Sequence, residues 1–367
     1  MATVKIKDVT SYLESIAPRS LQEDYDNSGL LTGDGSDEVT SILITLDCTE
    51  SVIDEAVRRN CNLVVAHHPI LFKGLKKLTG DTYVERVIIK AIKSGIAIYA
   101  IHTNLDNVIS GVNRKIADKI GLNNLSILLP KRNTLSKLVT YIPRDHAEQV
   151  IQDLHEAGAG NIGDYKNCSF RVTGEGTYIP TGDATPWKGE LNQLVKENEV
   201  RVEVILPTHC ENNVLLALKK NHPYEEVAYY LSRLENVNQE TGAGIMGDLP
   251  EAEEPLAFLK GLKSKMNVNM IRYTALPADK IKKVAICGGS GSFLLKTAIA
   301  RGADVFISAD FKYHEFFDAD GKILIADIGH YESEQFTKEL LYEFLTEKFH
   351  TFAIIFSETV TNPISYL

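Results

Sequence analysis

The sequence predicts a layered α/β fold made from two stretches of chain and interrupted by a smaller α+β module. Three observations predict it. In the first third of the 367 residues, and again after Pro250, short apolar runs alternate with amphipathic segments of about ten residues, the pattern of parallel strands joined by helices. Between these stretches the order becomes strand, helix, strand, strand, helix, strand. Side chains of the metal-ligand type stand in both outer stretches and not in the middle one, so the outer stretches read as one domain. The expected division is 1–132 and 243–367 for the α/β domain and 133–242 for the insert.

The elements follow in order. Ser41-Ile42-Leu43-Ile44-Thr45-Leu46-Asp47 is a short apolar run and reads as a strand, Ser51 to Arg59 as a helix, and Leu63 to Ala66 as a second strand. Tyr83 to Lys93 reads as a helix, Ile96 to Ile101 as a strand, and Val112 to Ile120 as a helix closed by Gly121. The character changes near Pro130. Lys137 to Ile142 reads as a strand and Asp145 to Ala157 as a helix, followed by strands at Cys168 to Tyr178 and Arg201 to Leu206. Asn212 to Lys220 as a helix and Val227 to Leu234 as a strand complete the split βαβ, ferredoxin-like order. Turn-rich segments flank it, Pro130-Lys131-Arg132-Asn133 before and Gln239-Glu240-Thr241-Gly242-Ala243-Gly244 after. The first pattern then returns: helix at Pro255 to Met266, strand at Lys283 to Cys287, helix at Phe293 to Arg301, strands at Val305 to Ile307 and Ile323 to Ala326. Glu332 to Lys348 reads as one long helix and Phe352 to Ile355 as a last strand.

Composition narrows the function classes. Hydrophobic residues make up 44% and charged residues 24%, an ordinary globular balance. With 39 Lys and Arg against 49 Asp and Glu the net charge is −10, which disfavours nucleic acid and anionic membrane as partners. No apolar stretch approaches the roughly 20 residues that span a bilayer, and Met1 to Asp8 carries no apolar signal core. Five cysteines (Cys48, Cys61, Cys168, Cys210, Cys287) stand singly, as reduced and mostly buried thiols do, and a cytoplasmic location is expected.

Three sets of candidate ligands sit where buried strands should stop. They are His67-His68-Pro69, then His102-Thr103-Asn104-Leu105-Asp106, and His330 with Glu334 four residues on. Open parallel sheets build sites at the carboxyl ends of their strands, and imidazoles with carboxylates suit one or two borderline-hard divalent ions. Adjacent strand residues point to opposite faces, so His67 and His68 serve one centre only if the backbone turns there, which Pro69 favours. Splayed histidines suit two neighbouring metals. If a helix begins at His330, His330 and Glu334 project from one face, and the carboxylate could bridge ions about 3.5–4 Å apart. Asp106 is taken as an oxygen ligand and His102 as a group that orients its neighbours. The alternative for any single histidine is a hydrogen-bonded core residue.

Other motifs are weaker. Cys287-Gly288-Gly289-Ser290-Gly291-Ser292 lies between a strand and a helix, as an anion-cradling loop would, or as a plain tight turn would. Tyr25-Asp26-Asn27-Ser28-Gly29 reads as a turn with Asx chemistry, with Asp26 a possible substrate contact. Asp310 and His314 fall where a pocket wall would stand and are candidates for proton transfer, with capping the equal alternative. His222-Pro223-Tyr224-Glu225-Glu226 is taken as structural or as an edge of the cleft.

Taken together and in this order, His67-His68-Pro69, His102-x-x-x-Asp106, the Gly288-Gly289-Ser290-Gly291 turn, His330-x-x-x-Glu334 and the opening Tyr25-Asp26-Asn27-Ser28-Gly29-Leu30 resemble the GTP cyclohydrolase I type 2 homologue family, the Nif-three-like group of dinuclear metal proteins. The resemblance covers nearly the whole chain. It implies a discontinuous Nif-three-like α/β domain whose insert is a PII/CutA-like module, a part that gates access or senses a small ligand. It implies a two-metal site in which His68 and Asp106 hold one ion, His67 and His330 hold the other, and Glu334 bridges. It further implies a ring-shaped homo-hexamer with its sites facing an internal cavity, and opening of the GTP imidazole ring with release of formate.

The function expected is therefore a dinuclear-metal hydrolase acting on a small molecule or purine nucleotide, with Glu334, Asp310 and His314 as catalytic candidates and His67, His68, Asp106, His330 and Glu334 as metal ligands. Zinc is the first choice of ion, with Mn, Fe or Co as the others. The competing readings are a metal-binding regulatory ring that senses a small ligand through the insert, and a two-metal phosphoesterase.

Overall fold

A computed structural model describes residues 3–367. The chain forms two compact units, one made of residues up to Leu129 together with Thr241–Leu367, the other of Pro130–Glu240. In the first stretch the elements are α1 (Ile6–Ile16), β1 (Gly29–Thr32), β2 (Ser41–Thr45), α2 (Glu50–Arg58), β3 (Leu63–Ala66), α3 (Tyr83–Lys93), β4 (Ala97–Ala100), the short turn α4 (Thr103–Asp106), α5 (Val112–Ile120) and β5 (Asn123–Pro130). The insert contains β6 (Leu135–Pro143), α6 (Ala147–Glu156), β7 (Phe170–Tyr178), β8 (Val195–Pro207), α7 (Glu211–Asn221) and β9 (Tyr229–Leu234). The last stretch contains β10 (Gly242–Glu253), α8 (Pro255–Lys265), β11 (Arg272–Tyr273), β12 (Ile281–Ser290), α9 (Leu295–Ala300), β13 (Val305–Ala309), β14 (Leu324–Asp327), α10 (His330–Glu334), α11 (Thr337–Lys348) and β15 (Ala353–Phe356).

The larger unit holds two sheets, ordered β1-β4-β3-β2-β15 and β11-β14-β13-β12-β10-β5. β15, β2, β3 and β4 are parallel, as are β12, β13 and β14, while β1 runs antiparallel to β4, β10 to β12 and β11 to β14. Every residue of β2, β3 and β4 is buried, which is why these strands read as continuous apolar runs and not as alternations. One core joins Ile42, Val65 and Tyr99 of the first sheet to Val284, Ile307 and Ala326 of the second through apolar faces of α1, α5, α8 and α11. A second cluster packs α2 and α3 on the far face of the first sheet, and a third packs α9 on the second. The helices start and stop where local chemistry asks: the Thr49 and Thr82 side chains accept from Val52 and Glu85 N–H, and Gly121 ends α5 in the left-handed region.

The insert sheet is ordered β7-β8-β6-β9 and is antiparallel throughout, with α6 and α7 over it, which is the split βαβ arrangement. Its core is its own, built from residues such as Leu138, Leu154, Val202 and Val214.

Two readings of local structure need correction. The long helix expected at Glu332–Lys348 is two, α10 and α11, separated at Gln335-Phe336. The Ser333 hydroxyl donates to the His330 carbonyl and the Gln335 amide to the Glu332 and Met266 carbonyls, so side chains compete with the helix ladder there. The Gly-rich flank after residue 240 is not a turn but the start of β10. A Cβ at Gly247 would stand 2.5 Å from Leu125 Cδ2 and 2.8 Å from the Asn123 carbonyl, so close approach to β5 requires glycine there.

Candidate metal centre

Each outer stretch delivers its ligand-type residues from a strand end. The backbone bends at His67 and His68 immediately after β3, with His67 N–H still bonded to the Thr45 carbonyl and His68 N–H to that of Leu46. The bend brings the two rings to 4.9 Å between centroids, so both reach one locus in spite of the strand alternation. α4 follows β4 and carries Asp106, while α10 follows β14 and carries His330 and Glu334.

Four imidazoles are held the same way. His67 Nδ1 donates to the Ile101 carbonyl at 2.8 Å, His68 Nδ1 to Asp47 at 2.8 Å, His102 Nδ1 to Asp26 at 2.8 Å and His330 Nδ1 to Asp310 at 2.7 Å. An acceptor at Nδ1 fixes the ring and leaves Nε2 to act as ligand. His68 Nε2 and His330 Nε2 lie 2.9 and 3.1 Å from Glu334 Oε2, and His67 Nε2 lies 3.8 Å from Glu334 Oε1 and 3.7 Å from Asp106 Oδ1. The ligand atoms of His67, Asp106 and Glu334 form one group within 4.8 Å of one another, and those of His68, His330 and Glu334 form another. By proximity His67 stands with Asp106 and His68 with His330, whereas the resemblance implied His68 with Asp106 and His67 with His330. His102, expected only to orient its neighbours, stands with His67 and His68 in a third such group.

These residues could hold a metal ion. His67 is fully buried, and neither its Nε2 nor Asp106 Oδ1 has a hydrogen-bond partner. With Nδ1–H committed to Ile101, His67 Nε2 is a bare lone pair aimed at two carboxylate oxygens, which is unfavourable unless a cation lies among them. Charge supports the same fit. Burial alone would raise Glu334, yet hydrogen bonds from His330 and His68 hold it well below the usual carboxylate range. Burial and then the Glu334 charge push Asp106 up. Against the cost of burial, Asp47 and Glu334 raise His68 to about 10, and Glu334 and Asp310 raise His330 to about 9. Protons on imidazoles thus balance the carboxylates at positions suited to metal cations.

The cluster lies in a cleft of about 630 Å³ that Tyr25, Phe72 and Phe293 also line. Gly288 and Gly289 form no anion-cradling loop but the irregular end of β12: Gly288 N–H is spent on Asn113 and Gly289 N–H on the Ser333 hydroxyl. Its glycines make room instead, since a Cβ on Gly289 (φ +62°) would sit 2.3 Å from Glu334 Oε1. Asp26 is buried and accepts from His102, Thr103, Asn27 and Ser28, so it positions His102 and has no exposed face for a substrate. Asp310 is brought to the cluster through His330, its backbone in the left-handed region at φ 58°. His314 is not brought there. It lies exposed on a turn against Tyr313 and Phe317 and does not line the cleft. Sequence reasoning passed over Asp47, although it ends the run Ser41–Asp47 at the same edge as His67. It also passed over Thr361, whose hydroxyl donates to Asp47 at 2.7 Å and which no motif marks.

The sequence profile of Duf34/NIF3 (NGG1p interacting factor 3) matches residues 4–363. A Bacillus subtilis protein called GTP cyclohydrolase 1 type 2 homolog is 37% identical over 371 residues, covering 100% of this chain and 99% of its own. One of the same name from Staphylococcus epidermidis is 36% identical over 367 residues, covering 99% and 100%. The crystal structure of a Bacillus cereus protein related to NIF3 superposes with a TM-score of 0.88 at 35% identity, with 100% of both chains covered.

Proposed function

The chain belongs to the Duf34/NIF3 (NGG1p interacting factor 3) family, and we propose that it is a hydrolase dependent on two divalent ions. His67 and Asp106 would hold one ion, His68 and His330 the other, and Glu334 would be shared. The observation that carries this reading is the pair of buried, partnerless atoms, His67 Nε2 and Asp106 Oδ1, 3.7 Å apart and facing Glu334. Two bound ions would supply Lewis acidity and a water acidic enough to attack at neutral pH.

The chain's own residues do the rest. Asp47, Asp310 and the Ile101 carbonyl fix His68, His330 and His67 so that the ligand nitrogens are ordered before anything binds. Tyr25, Phe72 and Phe293 offer flat apolar surface at the cleft, suited to stacking a heteroaromatic ring. The name of the relatives supports a purine nucleotide as substrate, and the reaction proposed is opening of its ring with release of formate. No lysine or arginine stands among the described residues lining the cleft, so this chain grips the base and leaves a triphosphate without a side-chain counter-charge.

The test is turnover of GTP and of guanosine by the metal-loaded full chain, followed by liquid chromatography and mass spectrometry beside Glu334→Gln. A ring-opened product and formate, lost in the variant, are expected. Phosphate release without ring opening would replace this reading by the phosphoesterase one. No product from a chain carrying both ions would replace it by the regulatory ring.

A further inference from the structure

The insert contains a cavity of its own, of about 370 Å³, lined by insert residues alone. Four aromatic residues line it, Tyr141, Tyr178, Trp187 and Tyr224, and Tyr178 and Trp187 lie 5.5 and 6.0 Å from Tyr224, centroid to centroid. Glu199 forms another wall, nine-tenths buried, with one oxygen accepting the Tyr224 hydroxyl at 2.8 Å. Among the described residues no lysine or arginine pairs with that carboxylate or lines the cavity. Bare backbone makes room for it, since a Cβ on Gly176 would lie 2.2 Å from Glu199 Oε2. Glu225 and Glu226 line the same space, and Glu225 accepts from Thr185 N–H and hydroxyl, tying the loop that carries Trp187 to the wall.

The His222-Pro223-Tyr224-Glu225-Glu226 motif finds its role here. His222 is buried, with Nε2 donating to the Tyr141 carbonyl at 2.9 Å and Nδ1 accepting Tyr224 N–H at 3.1 Å. The histidine therefore sets the Tyr224 ring, and the two glutamates after it face the cavity.

Aromatic faces and carboxylates both present negative potential, and the concave wall excludes much of the water that would screen it. An occupant that satisfies this surface brings positive charge and apolar bulk together. A hydrated inorganic cation would leave the rings unused, and an anion would be repelled. We propose that this pocket binds a small alkylated ammonium compound, with Tyr178, Trp187 and Tyr224 against its methyl or methylene groups and Glu199 opposite its charge.

Trp187 is the single tryptophan of the chain and reports directly on occupancy. Choline titrated into the full-length protein is expected to change its fluorescence saturably, with calorimetry as a second reading. The neutral isostere 3,3-dimethylbutan-1-ol is expected to bind at least about tenfold more weakly. Glu199→Gln, which keeps a hydrogen-bond acceptor for Tyr224, should weaken choline by a similar factor without changing the melting temperature. Tyr178→Leu, on the opposite wall, should do likewise. Equal binding of the isostere, unchanged affinity in both variants, or no saturable signal by either method at tens of millimolar choline would overturn the proposal.

Discussion

At Gly289 the backbone stands at φ +62° with Glu334 Oε1 within 2.3 Å of where a Cβ would be. Gly289→Ala therefore has to move either the end of β12 or the one carboxylate that touches both ligand groups. The expected result is a chain that folds but binds fewer than two ions, read as metal per chain by mass spectrometry of the purified protein. Asp310 acts on the site only through His330. Asp310→Ala should weaken one ion by roughly 10–100-fold, the usual cost of losing the group behind a ligating histidine, and leave the other in place. His314→Ala should leave both affinities unchanged, since that side chain points to solvent on its own turn. If His314→Ala costs as much as Asp310→Ala, the placement of the site is wrong. At this scale the residues that cluster were legible, because His67-His68, Asp106 and His330-x-x-x-Glu334 each follow an apolar run that had to be a strand. Their pairing was not, because it depends on the bend at His67-His68 and on the acceptor that each Nδ1 finds.

Among the elements, α2 does more than cover a sheet. Glu55 on it is fully buried and accepts from Ser357 Oγ, Glu358 N–H, Thr359 N–H and hydroxyl, and Arg59, which ties down the chain just after β15. Burial would raise this carboxyl, but bonds from Glu358, Ser357, Thr359 and Arg59 outweigh it and hold the group at about 2, below its ordinary 4.5. A carboxyl depressed by folding stabilises the native state above its unfolded value, and that stabilisation is lost as pH falls toward the folded one. Glu55→Gln should thus lower stability on the order of 2 kcal/mol at neutral pH, and the variant's melting temperature should fall less steeply than the parent's between pH 4.5 and 2. Parallel slopes in that window would refute the assignment. The same segment runs on to Thr361, bonded to Asp47, so this anchor also steadies the group behind His68. Nothing local in the sequence marks Glu55, since a glutamate in the first turns of an amphipathic helix reads as solvated. Of the elements that went unread, α1 carries Ile6, Val9 and Leu13 at helical spacing and was legible, whereas long-range pairing made strands of β1, β5, β10 and β11.

On the scale of the whole molecule, the chain consists of two units with separate cores, and among the described residues no helix is long and apolar enough to cross a membrane. The homo-hexamer belongs to the proposed reading, and light scattering on the full chain is expected to return six times 40.7 kDa. A monomer mass at micromolar concentration would remove the ring from that reading. The sequence by itself determined the fold class, the interruption by a split βαβ module, the strand ends at which the ligand-type residues stand and the family, because buried parallel strands and helix faces leave local apolar periods that need no partner to be read. Only the tertiary structure decided that β15 returns to the first sheet, that His67 groups with Asp106 and His68 with His330, that Asp26 is spent on His102, and that the His222 motif walls a pocket of its own. These depend on which remote residues come within a few ångströms. That proximity is set by the packing of two sheets about shared helices and by single bends and bare glycines, and it leaves no period along the chain.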